Sequence, residues 1–257
     1  MGISVRPNGM ASASHALRYW ERRQEVVSNN LANVGTDGFK AERAFARLLD
    51  GALPAVDTQT DLTAGTLRPT GNALDLAVGG DGFFVVDTPD GERLTRGGAF
   101  ALDDQRRVVD HNGNPLLAEG GPIVVDDVAT AAAAGAEGGA AAPLEPGATE
   151  ALVQVDRDGT VRLGERTLGR LRVETVPPGT RLEHAGGNLF VPPDERGIAA
   201  EGAREVRQGM IEESNVSPIS ALVEMISIQR AFTSVQKAMT TLDDARGTLV
   251  SEIGRPV

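Results

Sequence analysis

The sequence predicts a mainly β central domain, antiparallel and rich in hairpins, flanked by long N- and C-terminal α-helices that pair as a coiled coil. Three observations lead there. Apolar residues recur in heptads at both ends of the 257-residue chain, and through the middle they recur in short bursts separated by Gly-containing turn pairs. The change from one pattern to the other falls on Asn33-Val-Gly-Thr-Asp-Gly38. Composition agrees with this division. The length suits one large domain or two smaller ones, but aromatic residues make up only 4 % with a single Trp, against 31 glycines, which argues against one dense aromatic core. The expected organisation is residues 1–36 as an N-terminal helical segment, 37–70 as an extended connector, 71–211 as the β-rich domain with an Ala/Gly-rich insertion at 126–150, and 212–257 as a C-terminal helical segment.

The first helix rests on two interleaved sets of positions, Met10, Leu17, Gln24 and Leu31, and three residues further on Ala13, Trp20, Val27 and Val34. Arg18, Glu21, Arg22, Arg23 and Glu25 lie off this seam, so the segment is amphipathic with a narrow apolar stripe. Two readings stand: a seam for a partner helix, or one face of an ordinary globular domain. Asn30, Asn33 and Gly35 suit the helix end because Asn and Gly tolerate the left-handed conformation that closes a last turn, and Thr36-Asp37-Gly38 suits a tight turn.

The period is lost from Ala41 to Thr70, where Gly51, Pro54, Gly65 and Pro69 interrupt Thr- and Asp-rich sequence; Ala41–Leu49 reads as a short helix and Thr58–Arg68 as irregular strand. Leu74, Leu76 and Val78 alternate with Asp75 and Ala77 as a half-buried strand does, and Asp81-Gly82 turns the chain into Phe83–Val86, so these two strands are expected to form a hairpin. Asp90-Gly91, Asn112-Gly113 and Asp158-Gly159 mark further turns, with Ile123–Val125, Leu152–Val155 and Leu171–Val176 as strands. The segment Asp126 to Glu150 has few large apolar residues to offset ordering entropy and reads as a surface insertion, with a short Ala-rich helix as the alternative.

The closing helix starts at Pro218, with Ser217 as N-cap. Ile228, Val235, Leu242 and Leu249 repeat at heptad spacing, Ala231, Ala238 and Ala245 follow three behind, and Met225, Phe232 and Met239 widen the stripe. Continued to Ile253, the helix is roughly 50 Å long at the standard rise.

Several of these stretches together resemble one family. Ser28-Asn-Asn-Leu-Ala-Asn-Val34, followed by Thr36, Gly38, Phe39 and Lys40, closely resembles the N-terminal signature of the bacterial flagellar rod and hook proteins, the axial proteins of the basal body. Thr70-x-Asn72-x-Leu74-Asp-Leu-Ala77, then Gly80-Asp-Gly-Phe-Phe-Val-Val86, resembles the start of the β-rich domain of rod proteins. Arg96-Gly-Gly-Ala-Phe100 is similar to the next motif, with Gly97 where Asn is more usual, and Gly186-Gly-Asn-Leu-Phe190 to a landmark near the end of that domain. Glu212-Glu-Ser-Asn-Val216, Met225-Ile226 and Gln229-Arg-Ala-Phe232 resemble the C-terminal signature. The resemblance spans most of the chain apart from Asp126–Glu150, and its tail Leu249–Pro256 looks more like proximal-rod than distal-rod relatives. The β region is too short for the outer domains that hook proteins carry.

The resemblance implies a structural subunit of the basal-body rod, built helically from other rod proteins and copies of itself into a shaft that carries torque from motor to hook. It implies no cofactor and no catalysis, a location in the periplasm-spanning rod, and export without a cleaved signal. It also implies terminal segments partly disordered before assembly, and little self-assembly without a preceding rod template. The residues expected at assembly interfaces are Leu17, Trp20, Val27, Asn29, Asn30, Leu31, Asn33, Phe39, Asn215, Ile228, Phe232, Val235, Met239 and Leu242. The amides of Asn29, Asn30 and Asn33 are read, on resemblance, as hydrogen-bonding to neighbouring helices.

Other chemistries find little in the residues. A net charge of −11 disfavours a nucleic-acid partner, which needs a basic surface, and the lack of cysteine excludes thiolate catalysis and disulfides. No signal peptide or membrane insertion is expected, since no charged leader and no long apolar run are visible. His15, His111 and His184 lie in different regions and outside metal-ligand spacing. In Asp156-Arg-Asp158-Gly159 the glycine falls too early for a calcium loop, so a hairpin turn is the better reading. Asp75, Asp81, Asp103 and Asp110 could supply a carboxylate pair for an acidic hydrolase, and a secreted β-rich binding module or adhesin is the other competing class.

Overall fold

A computed structural model describes residues 9–47, 55–125, 152–200 and 204–253, without side chains at 9–12, 47, 55, 246 and 249–253. The insertion expected at 126–150 lies outside the described residues, as does the 48–54 part of the connector. The chain is mainly β, with two long helices at its ends, and divides into two compact units: Met1–Ala32, Glu42–Asp61 and Val216–Val257 make the first, and Asn33–Ala41 with Leu62–Asn215 the second.

In the first unit α1 (Gly9–Ala32) packs on α2 (Pro218–Ile253), and a two-stranded ribbon joins them, β1 (Glu42–Arg47) paired antiparallel with β2 (Ala55–Thr60). Ser217 caps α2 as the sequence suggests, its Oγ accepting from Ser220 N–H at 3.4 Å and its carbonyl from Ala221 N–H at 2.9 Å. The short helix expected over Ala41–Leu49 is instead strand through Arg47. Its Ala-, Glu- and Arg-rich composition favours a helix locally, but pairing from Glu42↔Thr60 to Arg47↔Ala55 gives the backbone a full ladder. Arg43 secures the ribbon through Asp61, at 2.6 Å.

The second unit is the β domain. Its strands are β3 (Leu67–Pro69), β4 (Leu76–Gly79), β5 (Gly82–Thr88), β6 (Gly91–Thr95), β7 (Ala101–Leu102), β8 (Val108–Val109), β9 (Leu117–Ala118), β10 (Gly121–Pro122) and β11 (Val153–Val155). They continue with β12 (Thr160–Leu163), β13 (Arg166–Arg170), β14 (Val173–Thr175), β15 (Glu183–Gly186), β16 (Leu189–Val191), β17 (Gly197–Ile198), β18 (Glu205–Gln208) and β19 (Met210–Glu212). A six-stranded antiparallel sheet in the order β15-β16-β6-β5-β14-β17 is the centre, with β11-β12-β13 as a smaller sheet. The run Phe83-Phe84-Val85-Val86 is apolar without alternation because β5 is buried on both faces. Phe84 and Val86 enter a large core with Leu74, Leu76, Val78, Leu116, Leu171 and Val206, whereas Phe83 and Val85 join Leu94, Leu182 and Phe190.

The turns at Asp90-Gly91 and Asp158-Gly159 close the β5–β6 and β11–β12 hairpins, and Gly91 and Gly159 both adopt positive φ there. The expected hairpin of Leu74–Val78 with Phe83–Val86 does not form. Those strands meet through the side chains of Val78 and Phe84 in one core, while the hydrogen-bonding edge of β4 is taken by β18, Leu76 opposite Gln208 and Gly79 opposite Glu205. The left-handed residue at the end of the hinge is likewise Gly38, at φ 66°, and not Gly35 or an asparagine.

Candidate functional site

Gly38 takes that conformation because its Cα lies against the Arg96–Gly97 backbone, where an added Cβ would fall 2.1 Å from Arg96 C. Asp37 beside it accepts the N–H groups of Gly98 and Ala99 through Oδ2, at 2.9 and 3.2 Å, and its carbonyl accepts Asn188 Nδ2 at 3.0 Å. Phe39 is buried and its carbonyl accepts Asn215 N–H. Asp37, Gly38 and Phe39 thus contact three other motifs that the sequence singled out.

The next residue carries the charge. Lys40 is fully buried, and its Nζ donates to Glu212 Oε1 at 2.6 Å and to the Thr63 carbonyl at 2.7 Å. The same Oε1 accepts Gly65 N–H at 2.7 Å, and Oε2 takes Arg96 Nη1 at 3.2 Å. Arg96, itself buried, also donates to the carbonyls of Val78 and Gly80, and its guanidinium lies 4.8 Å from the Phe83 ring centroid. Burial holds the Arg96 pKa below its ordinary value, with Glu212 and Asp81 pulling the other way. Such a clasp adds little net energy over apolar packing, but removing one partner strands a buried charge, at a cost of about 3–5 kcal/mol. The Glu212 carboxylate, at the end of β19, holds Lys40, Gly65 and Arg96 around it.

Asn215 finishes the clasp. Its Oδ1 accepts Ala41 N–H at 2.8 Å, and its Nδ2 donates to the carbonyl and hydroxyl of Thr63. Asn33 takes the hydroxyl of Thr36 within the hinge turn. In the helical unit Asn30 plays an analogous part, Nδ2 donating to the Glu42 carbonyl at 2.8 Å while Oδ1 accepts Glu42 N–H at 2.9 Å, which gives β1 its first backbone partner.

The helix seam buries Val27, Ala221 and Ile228, with Trp20, Leu31, Val216 and Met225 packed around them, and Arg23 reaches across to Glu224 at 2.6 Å. Leu17 on α1 and Phe232, Val235 and Met239 on α2 are half-buried, whereas Asn29 and Leu242 are exposed. The heptad reading misses a second apolar face. Ile219, Leu222, Val223 and Ile226 stand at helical spacing on α2, each at least 49 % exposed. Their i, i+3, i+4, i+7 spacing was the available signal. The clasp left less trace, because Lys40, Arg96 and Glu212 sit in three separate motifs.

The carboxylates weighed as acids serve turns. Asp103 accepts the N–H groups of Gln105 and Arg107, Asp110 those of Asn112 and Asn114, and Asp75 takes Asn72 Nδ2. Asp158 accepts the N–H and hydroxyl of Thr160, so Asp156–Gly159 is a hairpin turn. Among the described residues no group of three His, Cys, Asp or Glu side chains is placed to hold a metal ion. No described helix is long and apolar enough to cross a membrane.

Three family descriptions match the chain: "Flagella basal body rod protein" over residues 10–40, "Flagellar hook protein FlgE/F/G D1 domain" over 77–163, and "Flagellar basal body rod FlgEFG protein C-terminal" over 207–252. The chain is 31 % identical over 247 residues to the flagellar basal-body rod protein FlgF of Caulobacter vibrioides, covering 91 % of this chain and 93 % of the relative. It is 31 % identical over 254 residues to FlgF of Salmonella typhimurium, covering 93 % of each. To the rod protein FlgG of Bacillus subtilis it is 29 % identical over 271 residues, covering 93 % of this chain and 97 % of the relative.

Proposed function

This chain belongs to the flagellar basal-body rod protein family, and from that premise we propose that it builds the rod through its two terminal helices. It is a structural subunit and not an enzyme. In our reading α1 and α2 pair as a coiled coil, and the second face of α2 packs on a neighbouring rod subunit, either another rod protein or a copy of this chain. Contacts of this head-to-tail kind do not close into a ring and so generate a shaft, which carries torque from motor to hook. The C-terminal tail favours the proximal-rod type. A working place in the basal body goes with the same membership, and in our reading the subunit is exported without a cleaved signal.

One observation carries this reading: α2 is apolar on two faces, one filled by α1 and the other, Ile219, Leu222, Val223 and Ile226, exposed. Burying each such side chain contributes roughly 1.5–3 kcal/mol, so this face alone supplies several kcal/mol to a contact between subunits. A test is the double variant Leu222→Asp, Ile226→Asp in cells lacking the native protein. We expect loss of the subunit from purified basal bodies and loss of swimming, with thermal unfolding of the isolated chain unchanged. Normal incorporation would remove this face from the assembly contact.

A further inference from the structure

Charge divides unequally between the two compact units. The helical unit holds ten basic and ten acidic residues, whereas the β unit holds fifteen basic and twenty-six acidic ones, so the whole net charge of −11 belongs to the β unit. Its cations are largely spoken for. At least nine of its arginines are ion-paired to carboxylates of the same unit, from Arg68 with Glu213 to Arg207 with Glu205. By contrast Asp87, Asp90, Asp104, Glu165, Asp194 and Glu195 are exposed and hold no ion pair among the described residues.

The exposed face of α2 has the opposite character. Ile219, Leu222, Val223 and Ile226 are apolar, and Glu224 in their midst is engaged by Arg23. Burial of this face favours any apolar partner, and the neutral helical unit adds no net repulsion. A contact between two copies, however, also brings two β units of −11 into one particle. Like net charges repel over the Debye length, about 30 Å at 0.01 M salt and about 10 Å at 0.1 M. We propose that the charge of the β unit holds copies of this chain apart, so that the α2 face takes a partner of lower negative charge, and that salt releases the restraint. This deepens the assembly reading and rests on it.

Sedimentation velocity of the full chain at about 0.01 M and about 0.1 M NaCl tests it. We expect the association constant of the chain with itself to be at least about tenfold greater at the higher salt. The variant Asp87→Asn, Asp90→Asn, Asp104→Asn, Glu165→Gln, Asp194→Asn, Glu195→Gln should associate at the lower salt as strongly as the parent does at the higher. Association of the parent that is the same at both salts, or absent at both, would overturn the proposal, as would a folded variant that matches the parent at the lower salt. If the variant does not fold, the salt response of the parent decides. Adding Leu222→Asp and Ile226→Asp to the parent distinguishes the two readings. Loss of association at the higher salt ties the restraint to the α2 face. Association that persists and still responds to salt keeps the charge restraint and overturns the role given to that face.

Discussion

Lys40 Nζ lies 2.6 Å from Glu212 Oε1, across 172 positions of sequence, with both side chains almost completely withdrawn from solvent. Glu212→Ala should therefore destabilise the β domain by about 3–5 kcal/mol, because Lys40 and Arg96 lose their counter-charge in place. Urea unfolding followed by hydrogen exchange of β-domain amides checks this, and a loss under 1 kcal/mol would mean that water or backbone takes over the role of Glu212.

Two glycines of the hinge should respond in opposite ways. Gly38→Ala puts a methyl into the Arg96 backbone at positive φ and should cost more than about 2 kcal/mol. Gly35→Ala meets nothing within 4 Å and should be neutral or stabilising by about 0.5 kcal/mol. Thermal unfolding of the two variants side by side makes the comparison.

The two faces of α2 should separate in the same manner. Ile228→Ala opens a cavity in the seam with α1 and should cost about 2–4 kcal/mol of the helical unit's stability. Ile226→Lys, on the exposed face, should stay within about 0.5 kcal/mol of the parent. Circular dichroism melts of both variants give the answer.

Acid should loosen the ion pairs that tie Glu92 of β6 to Arg172 and Arg196. Hydrogen bonding from Arg172 holds the Glu92 carboxyl below the usual carboxylate range; burial opposes this, and the charges of Arg172 and Arg196 add to it. Because the folded pKa is the lower one, the stabilisation is fully present above the ordinary glutamate range and is lost as pH falls through the depressed value. The stability gap between parent and Glu92→Gln should be widest near neutrality and shrink on acidification. Urea midpoints across a pH series test this, and a gap independent of pH would rule out the ion pairs as its source.

How far the sequence revealed this structure depended on the range of the interaction. Both helices were legible because heptads of Val27 or Ile228 type are a local pattern, and the Asp90-Gly91 and Asp158-Gly159 turns were legible because positive φ demands glycine locally. Strand pairing was not. The partner of β4 is β18, more than a hundred residues away, and nothing near Leu76 points to Gln208. β1 departs from the helix expected there because the helix preference of residues such as Glu42, Ala44 and Arg47 yields to pairing with β2. The clasp residues were all visible as members of motifs, yet a lysine, an arginine and a glutamate in separate motifs do not announce that they meet. The exposed face of α2 is present as spacing in Ile219, Leu222, Val223 and Ile226, but these residues precede the heptad set that starts at Ile228 and are not part of it.

The fastening at Asn215 has a mechanical side. The backbone enters the β domain at Asn33, leaves at Ala41, returns at Leu62 and leaves again at Asn215, and Phe39, Ala41, Thr63 and Asn215 are joined directly by hydrogen bonds. Tension applied along the chain at Asn33 and Asn215 would therefore load this fastening together with the Asp37 contacts to Gly98, Ala99 and Asn188, so that the hinge and the closing strand share the pull.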